Sequence, residues 1–152
     1  MSKPIWIHPL ELSDVNWRAQ DTLSHFLGIE FVEVGADFLT ARMPIAPKVS
    51  QPMGIMHGGA SAALAETVAS AAANYCVDQA TKVCVGVELN INHLRPLKSG
   101  YADAVAKPLH LGKTTQVWEI KIYDAEKKLI SAARLTLAVI EKKDKAPESR
   151  GL

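Results

Sequence analysis

Apolar and polar positions alternate most regularly over residues 83–93. Val83, Val85, Val87, Leu89, Ile91 and His93 fall in one phase, and Cys84, Gly86, Glu88, Asn90 and Asn92 in the other. A two-residue period is that of a strand with two unlike faces. Three more strand candidates follow, at 101–111, 114–124 and 129–140. Their connections, Gly112-Lys113 and residues 125–128, are short enough for hairpins. Upstream, IEFVEV (29–34) and FLTARMPI (38–45) read as two short strands around the turn Gly35-Ala36-Asp37. Residues 14–27 have helical spacing at Trp17, Leu23 and Leu27, with Gly28 as a stop signal. The alanine-rich run from about His57 to Val77 predicts a helix roughly 30 Å long at about 1.5 Å per residue. The order is short helix, two strands, long helix, then a meander of strands. That is an α+β layout, with one helix lying across a mostly antiparallel sheet.

Bulk properties narrow the function classes. A chain of 152 residues supports one domain with a real core. A net charge of +1 gives no electrostatic case for nucleic acid or an anionic membrane. Cys76 and Cys84 follow no metal-binding spacing and read as buried thiols of a reducing, cytoplasmic setting. No apolar leader opens the chain, and Glu66 and polar residues interrupt the alanine-rich run too often for a membrane span. The five histidines have no HxxH or HxxxH spacing and no acidic cluster beside them, so no metal is expected. There is no GxSxG elbow, GxGxxG or P-loop. The charged tail 141–152, with Pro147 and Gly151, is expected to fray.

The chemistry concentrates in QPMGIMHGGASAALAETVAS, residues 51–70. His57-Gly58-Gly59 sits at a helix start, where free backbone N–H groups collect partial positive charge. Glu66 is the only charged residue of the run before Asp78, surrounded by Ala62, Ala63, Ala69, Ser70 and Ala73. A solvated helix face would carry several charges with partners one turn away. A desolvated carboxylate near an anion-stabilising helix end suits attack on a carbonyl. Ser70 shares a face with Glu66 and either orients it or bonds its own backbone. Gln51 is either a loop residue or a side-chain donor to the carbonyl, and His93 either a core histidine or a site residue. Gly58 and Glu66 lie eight residues apart, about 12 Å along one helix. A glutamate side chain does not span that gap, so if both serve one substrate they come from two chains, with two equivalent sites per dimer.

The stretch 51–70, followed by VGVELNINHLRP and KPLHLGKTTQVWEIKIYD, resembles the hotdog-fold acyl-CoA thioesterases, in the branch that uses glutamate. The resemblance covers residues 22–140, leaving 1–21 as an N-terminal extension. It implies a sheet wrapped around one central helix. It implies that Glu66 is the catalytic carboxylate, as nucleophile or general base, and that the Gly58 amide is the oxyanion donor. Gln51 and His57 would position the thioester carbonyl, Ser70 would assist the carboxylate, and His93 would lie near the acyl group. Gly86, the stretch His93, Leu94, Arg95 and Pro96, and the loop His110, Leu111, Gly112, Lys113, Thr114 and Thr115 would contact coenzyme A. Arg95 and Lys113 suit its phosphates. Coenzyme A is part of the substrate, and no cofactor is implied. The family forms dimers and usually dimers of dimers.

The expected activity is hydrolysis of an aromatic or medium-chain acyl-CoA to free acid and coenzyme A, at a site shared between subunits. The rivals are a hotdog hydratase or dehydratase and a non-catalytic acyl-CoA-binding module. A hydratase pairs its carboxylate with a histidine in another motif, and a sensor needs an output domain for which this chain has no length.

Overall fold

The computed structural model describes residues 3–16 and 20–143. Two short helices, α1 (Leu12–Asn16) and α2 (Leu23–Leu27), precede β1 (Glu30–Val34) and β2 (Leu39–Pro44). A single 3-10 turn at Pro47–Val49 leads to the long helix α3 (Gly58–Tyr75). Then come β3 (Lys82–His93), β4 (Tyr101–Leu111), β5 (Thr115–Tyr123) and β6 (Leu129–Glu141). The six strands form one antiparallel sheet in the order β1-β2-β4-β5-β6-β3.

Helix α3 lies across this sheet, and alanines on both surfaces bring the two backbones close. Ala65, Ala69, Ala72 and Ala73 of the helix and Ala41, Ala102, Ala104 and Ala106 of β2 and β4 are all fully buried in one core. Leu64, Val68, Trp118, Ile120, Leu135 and Leu137 fill the space between them. Pro108 stands inside β4, a central strand. It is tolerated because the pairing with β2 ends at Ala106, so its missing N–H interrupts no ladder on that side.

Two expectations need correction. The segment 14–27 is not one helix. Residues 20–22 are turn and bend, and Asn16, the last described residue of α1, donates through its side-chain amide to the Phe31 carbonyl and accepts from the Phe31 amide, standing in for a strand neighbour at the edge of β1. Helix α2 then starts afresh, capped by the Thr22 hydroxyl, and stops at Gly28 in a left-handed conformation. Trp17 lies outside the described residues. The second correction concerns β3, whose alternation is not continuous. A bulge between Gly86 and Glu88 makes Val87 the extra residue. Cys84 and Gly86 face the helix before it; Leu89, Ile91 and His93 do so after it. Val85 and Val87 are therefore exposed rather than in phase with the inward residues, Val87 to 65%.

The N-terminal segment is built into the fold. Trp6 is buried and its indole N–H donates to the Gly35 carbonyl, while the Ile7 amide bonds to Tyr75 at the end of α3. Cys84 is buried, Cys76 half-buried, and neither forms a disulfide. Among the described residues, no helix is long and apolar enough to cross a membrane.

Candidate active site

The N-terminus of α3 is organised around one unused donor. His57 is the N-cap, in extended conformation, and its Nδ1 accepts the Gly59 amide at 2.8 Å. Its carbonyl takes the Ala60 and Ser61 amides. The Gly58 N–H has no partner among the described residues, so the helix presents that amide outward with its dipole behind it. A methyl group at Gly58 would lie 2.9 Å from His93 Nε2, which explains the glycine. The resulting cavity, of about 330 Å³, is lined by Gln51, Gly58, Ser61, His93, Arg95 and Ser131, with Leu94 and Pro96 completing the rim. Gln51 accepts the Met53 amide on its side-chain oxygen, leaving its NH₂ end to donate. Arg95 is anchored by a 2.7 Å bond from Nη1 to the Leu129 carbonyl.

Glu66 stands two turns further along α3. It is half-buried, and desolvation raises its carboxyl above the usual range, opposed by a hydrogen bond from the Ser70 hydroxyl. The carboxylate lies over the backbone of β3. A methyl group at Gly86 would come within 2.3 Å of Glu66 Oε1. The side chain thus rests on a strand position that only glycine leaves open, immediately before the bulge. Asn74, one turn beyond Ser70, fixes that strand in place. Its side chain donates to the Cys84 carbonyl and accepts the Cys84 amide. Ser70 also borders a second cavity of about 270 Å³, walled by Val15, Phe31, Thr67, Ala71 and Tyr75.

Within one chain the expected residues thus fall into two groups. Gln51, Gly58 and His93 to Pro96 share the cavity at the start of α3, with His57 capping the helix beside it. Glu66, Ser70 and Gly86 sit together further along. The hairpin from His110 to Thr115 adjoins this second group, because Gln116, one residue on, lies in one row with Leu137 and Gly86. His110 folds over the turn at Gly112, and Lys113 and Thr114 are exposed. Sequence reasoning missed Ser61, Asn74 and Ser131. Small polar residues inside alanine-rich or apolar elements carry little signal, and only the packing reveals their partners.

This arrangement, a free helix-end amide and a desolvated carboxylate on one helix crossing an antiparallel sheet, is that of a hotdog thioester hydrolase. The Thioesterase superfamily model matches residues 53–131, and the chain belongs to that family. The 1,4-dihydroxy-2-naphthoyl-CoA hydrolase of Escherichia coli is 41% identical over 136 residues, covering 90% of this chain and 99% of that one. A crystal structure of a thioesterase from Haemophilus influenzae superposes with a TM-score of 0.89 at 40% identity, over 93% of this chain and 98% of that one. A Staphylococcus aureus thioesterase, 35% identical with TM-scores of 0.77 and 0.75, covers 80% and 77% of this chain and 100% and 97% of its own in its two structures. It was solved with a glutamine and, separately, a glutamate fifteen positions later replaced by alanine. Gln51 and Glu66 have that same separation here.

Proposed function

We propose that this thioester hydrolase acts on an aromatic or medium-chain acyl-CoA, releasing the free acid and coenzyme A, at a site assembled from two subunits. The observation that carries the reading is the division of the site. The free Gly58 amide and the Glu66 carboxylate are about 12 Å apart on one rigid helix. A twofold pairing of antiparallel α3 helices would set one subunit's Glu66 against the other's Gly58. Strand β3 is a sheet edge carrying exposed Val85 and Val87, which suits a second copy of the chain.

In this reading the thioester carbonyl sits in the cavity beside Gly58, with the amide and the Gln51 NH₂ donating to its oxygen. His57 holds the Gly59 amide and so keeps the turn in shape. Glu66 of the opposing chain either attacks the carbonyl carbon or removes a proton from the attacking water. Ser70 orients the carboxylate. Arg95 and the exposed Lys113, with the hairpin His110 to Thr115, would meet the phosphates of coenzyme A. The E. coli relative's name, a hydrolase of an aromatic acyl-CoA, supports the substrate class. The replacement of a glutamine and a glutamate at the same spacing in the S. aureus neighbour supports Gln51 and Glu66 as the site residues.

The test is thiol release from benzoyl-CoA and a medium-chain acyl-CoA by the wild type and Glu66→Gln. Hydrolysis of either by the wild type, with a folded and nearly inactive variant, supports the reading. A fully active variant removes Glu66 from the mechanism.

A further inference from the structure

The cavity beside Gly58 contains a side-chain pair that the chemistry above leaves unused. Ser131, near the start of β6, lies directly opposite His93 of β3. It is fully buried, and its Oγ is 3.3 Å from His93 Nδ1. A buried hydroxyl hydrogen needs an acceptor. Among the described residues, His93 Nδ1 is the hydrogen-bond partner this hydroxyl has. The pairing satisfies that hydrogen when the hydroxyl donates to Nδ1. A neutral imidazole that accepts at Nδ1 carries its hydrogen on Nε2. That nitrogen is the ring atom nearest to the place a Cβ on Gly58 would take, at 2.9 Å. The three residues line one cavity, so a second N–H stands beside the free backbone amide.

We infer that His93 Nε2–H is a further donor to the thioester oxygen, beside the Gly58 amide and the Gln51 NH₂, and that Ser131 is the residue that positions it. This rests on the thioesterase reading. As the carbonyl carbon is attacked, its π electrons move onto oxygen, and that oxygen accepts from the His93 N–H together with the Gly58 amide and the Gln51 NH₂. The histidine keeps its proton throughout; its part is electrostatic. The opposite tautomer would turn a lone pair toward the developing negative charge. A serine at 131 thus fixes which face of the ring chemistry His93 offers, without touching the substrate.

The experiment has a structural and a kinetic readout on the intact protein. Long-range ¹H–¹⁵N spectra of the wild type are expected to show His93 with its proton on Nε2. Ser131→Ala should give a mixture of tautomers and Ser131→Thr should restore the single form. With benzoyl-CoA, His93→Ala should lose about 10²-fold in kcat, the scale of one oxyanion donor. Ser131→Ala should lose about tenfold in kcat with KM little changed, the mark of an interaction realised in the transition state. His93→Gln, which keeps a side-chain N–H, should recover part of the loss. A wild-type His93 protonated on Nδ1 overturns the proposal, as does a folded Ser131→Ala enzyme with full kcat. If Ser131→Ala does not fold, the wild-type tautomer decides alone. A wild type inert toward thioesters while the Nε2–H form holds overturns the thioesterase reading and the donor role with it, and leaves the positioning by Ser131 intact.

Discussion

The proposed role of Glu66 depends on what surrounds it, and two measurements expose that. Its carboxyl ionises near 4.5 in an unfolded chain and higher in the folded one, because desolvation disfavours the charge more than Ser70 stabilises it. The folded protein therefore holds an extra proton between those two values, and stability falls as pH rises through that window. Glu66→Gln removes the penalty. Its Tm should exceed that of the wild type at neutral pH, and the difference should vanish as pH drops below 4.5. In the proposed mechanism catalysis needs the ionised form, so the acid limb of kcat should lie above that same value. The rate loss in Glu66→Gln should be about 10²–10⁴-fold if the carboxylate is a general base. Gly86 gives the complementary test. In Gly86→Ala the new methyl occupies the place of Oε1, and the carboxylate must swing away. A misplacement of about 1 Å costs about 10² in rate. Steady-state kinetics should show that loss while circular dichroism and Tm stay near wild type, because the displaced group is the end of a flexible side chain.

At the scale of elements, what the sequence made legible was periodicity. The long helix and the four strands after it appear within a few residues of the positions that alternation and spacing implied. What it hid was the interruption of a period. The β3 pattern reads as eleven unbroken alternating residues, yet one extra residue at Val87 reverses the faces. Nothing in a valine marks a bulge, and the Glu66 carboxylate that lies on Gly86 beside it comes from another element. The helical spacing of 14–27 likewise hid a break, because residues 20–22 are turn and bend before the Thr22 cap opens a new helix. Charged pairs across strands were also invisible to a one-dimensional pattern. Arg42 and Asp103 face each other on β2 and β4, joined by two bonds of 2.7 and 2.9 Å, with Lys127 at 3.7 Å. The guanidinium holds the buried Asp103 carboxyl below its usual range. Its contribution is present above pH 3.8 and is lost as pH falls through the lower folded value. Arg42→Met should leave a buried carboxylate short of donors and cost about 1–3 kcal/mol in denaturant unfolding at neutral pH. The cost should shrink in acid, where the wild type loses the same interaction.

For the whole molecule, the decisive question is whether one chain can hold a working site. Helix α3 separates donor and carboxylate by more than a side chain's reach, and its stiffness means no local motion closes that gap. Two copies related by a twofold axis solve the geometry, and the solution has a quantitative signature. Consider Glu66→Gln and Gln51→Ala, each nearly inactive alone. In a mixed dimer, the site that takes Glu66 from the Gln51→Ala chain takes Gln51 from the Glu66→Gln chain, and both are intact. The other site carries both defects. Random pairing of equal amounts makes half the dimers mixed, so about a quarter of all sites should be wild type. Co-expression of the two variants with different tags, followed by isolation of the mixed dimer, should recover about half the wild-type kcat per dimer. A site confined to one chain predicts no recovery, since every chain then carries a defect. Because every chain in the mixture carries one of the two defects, only exchange of residues across the interface restores the rate.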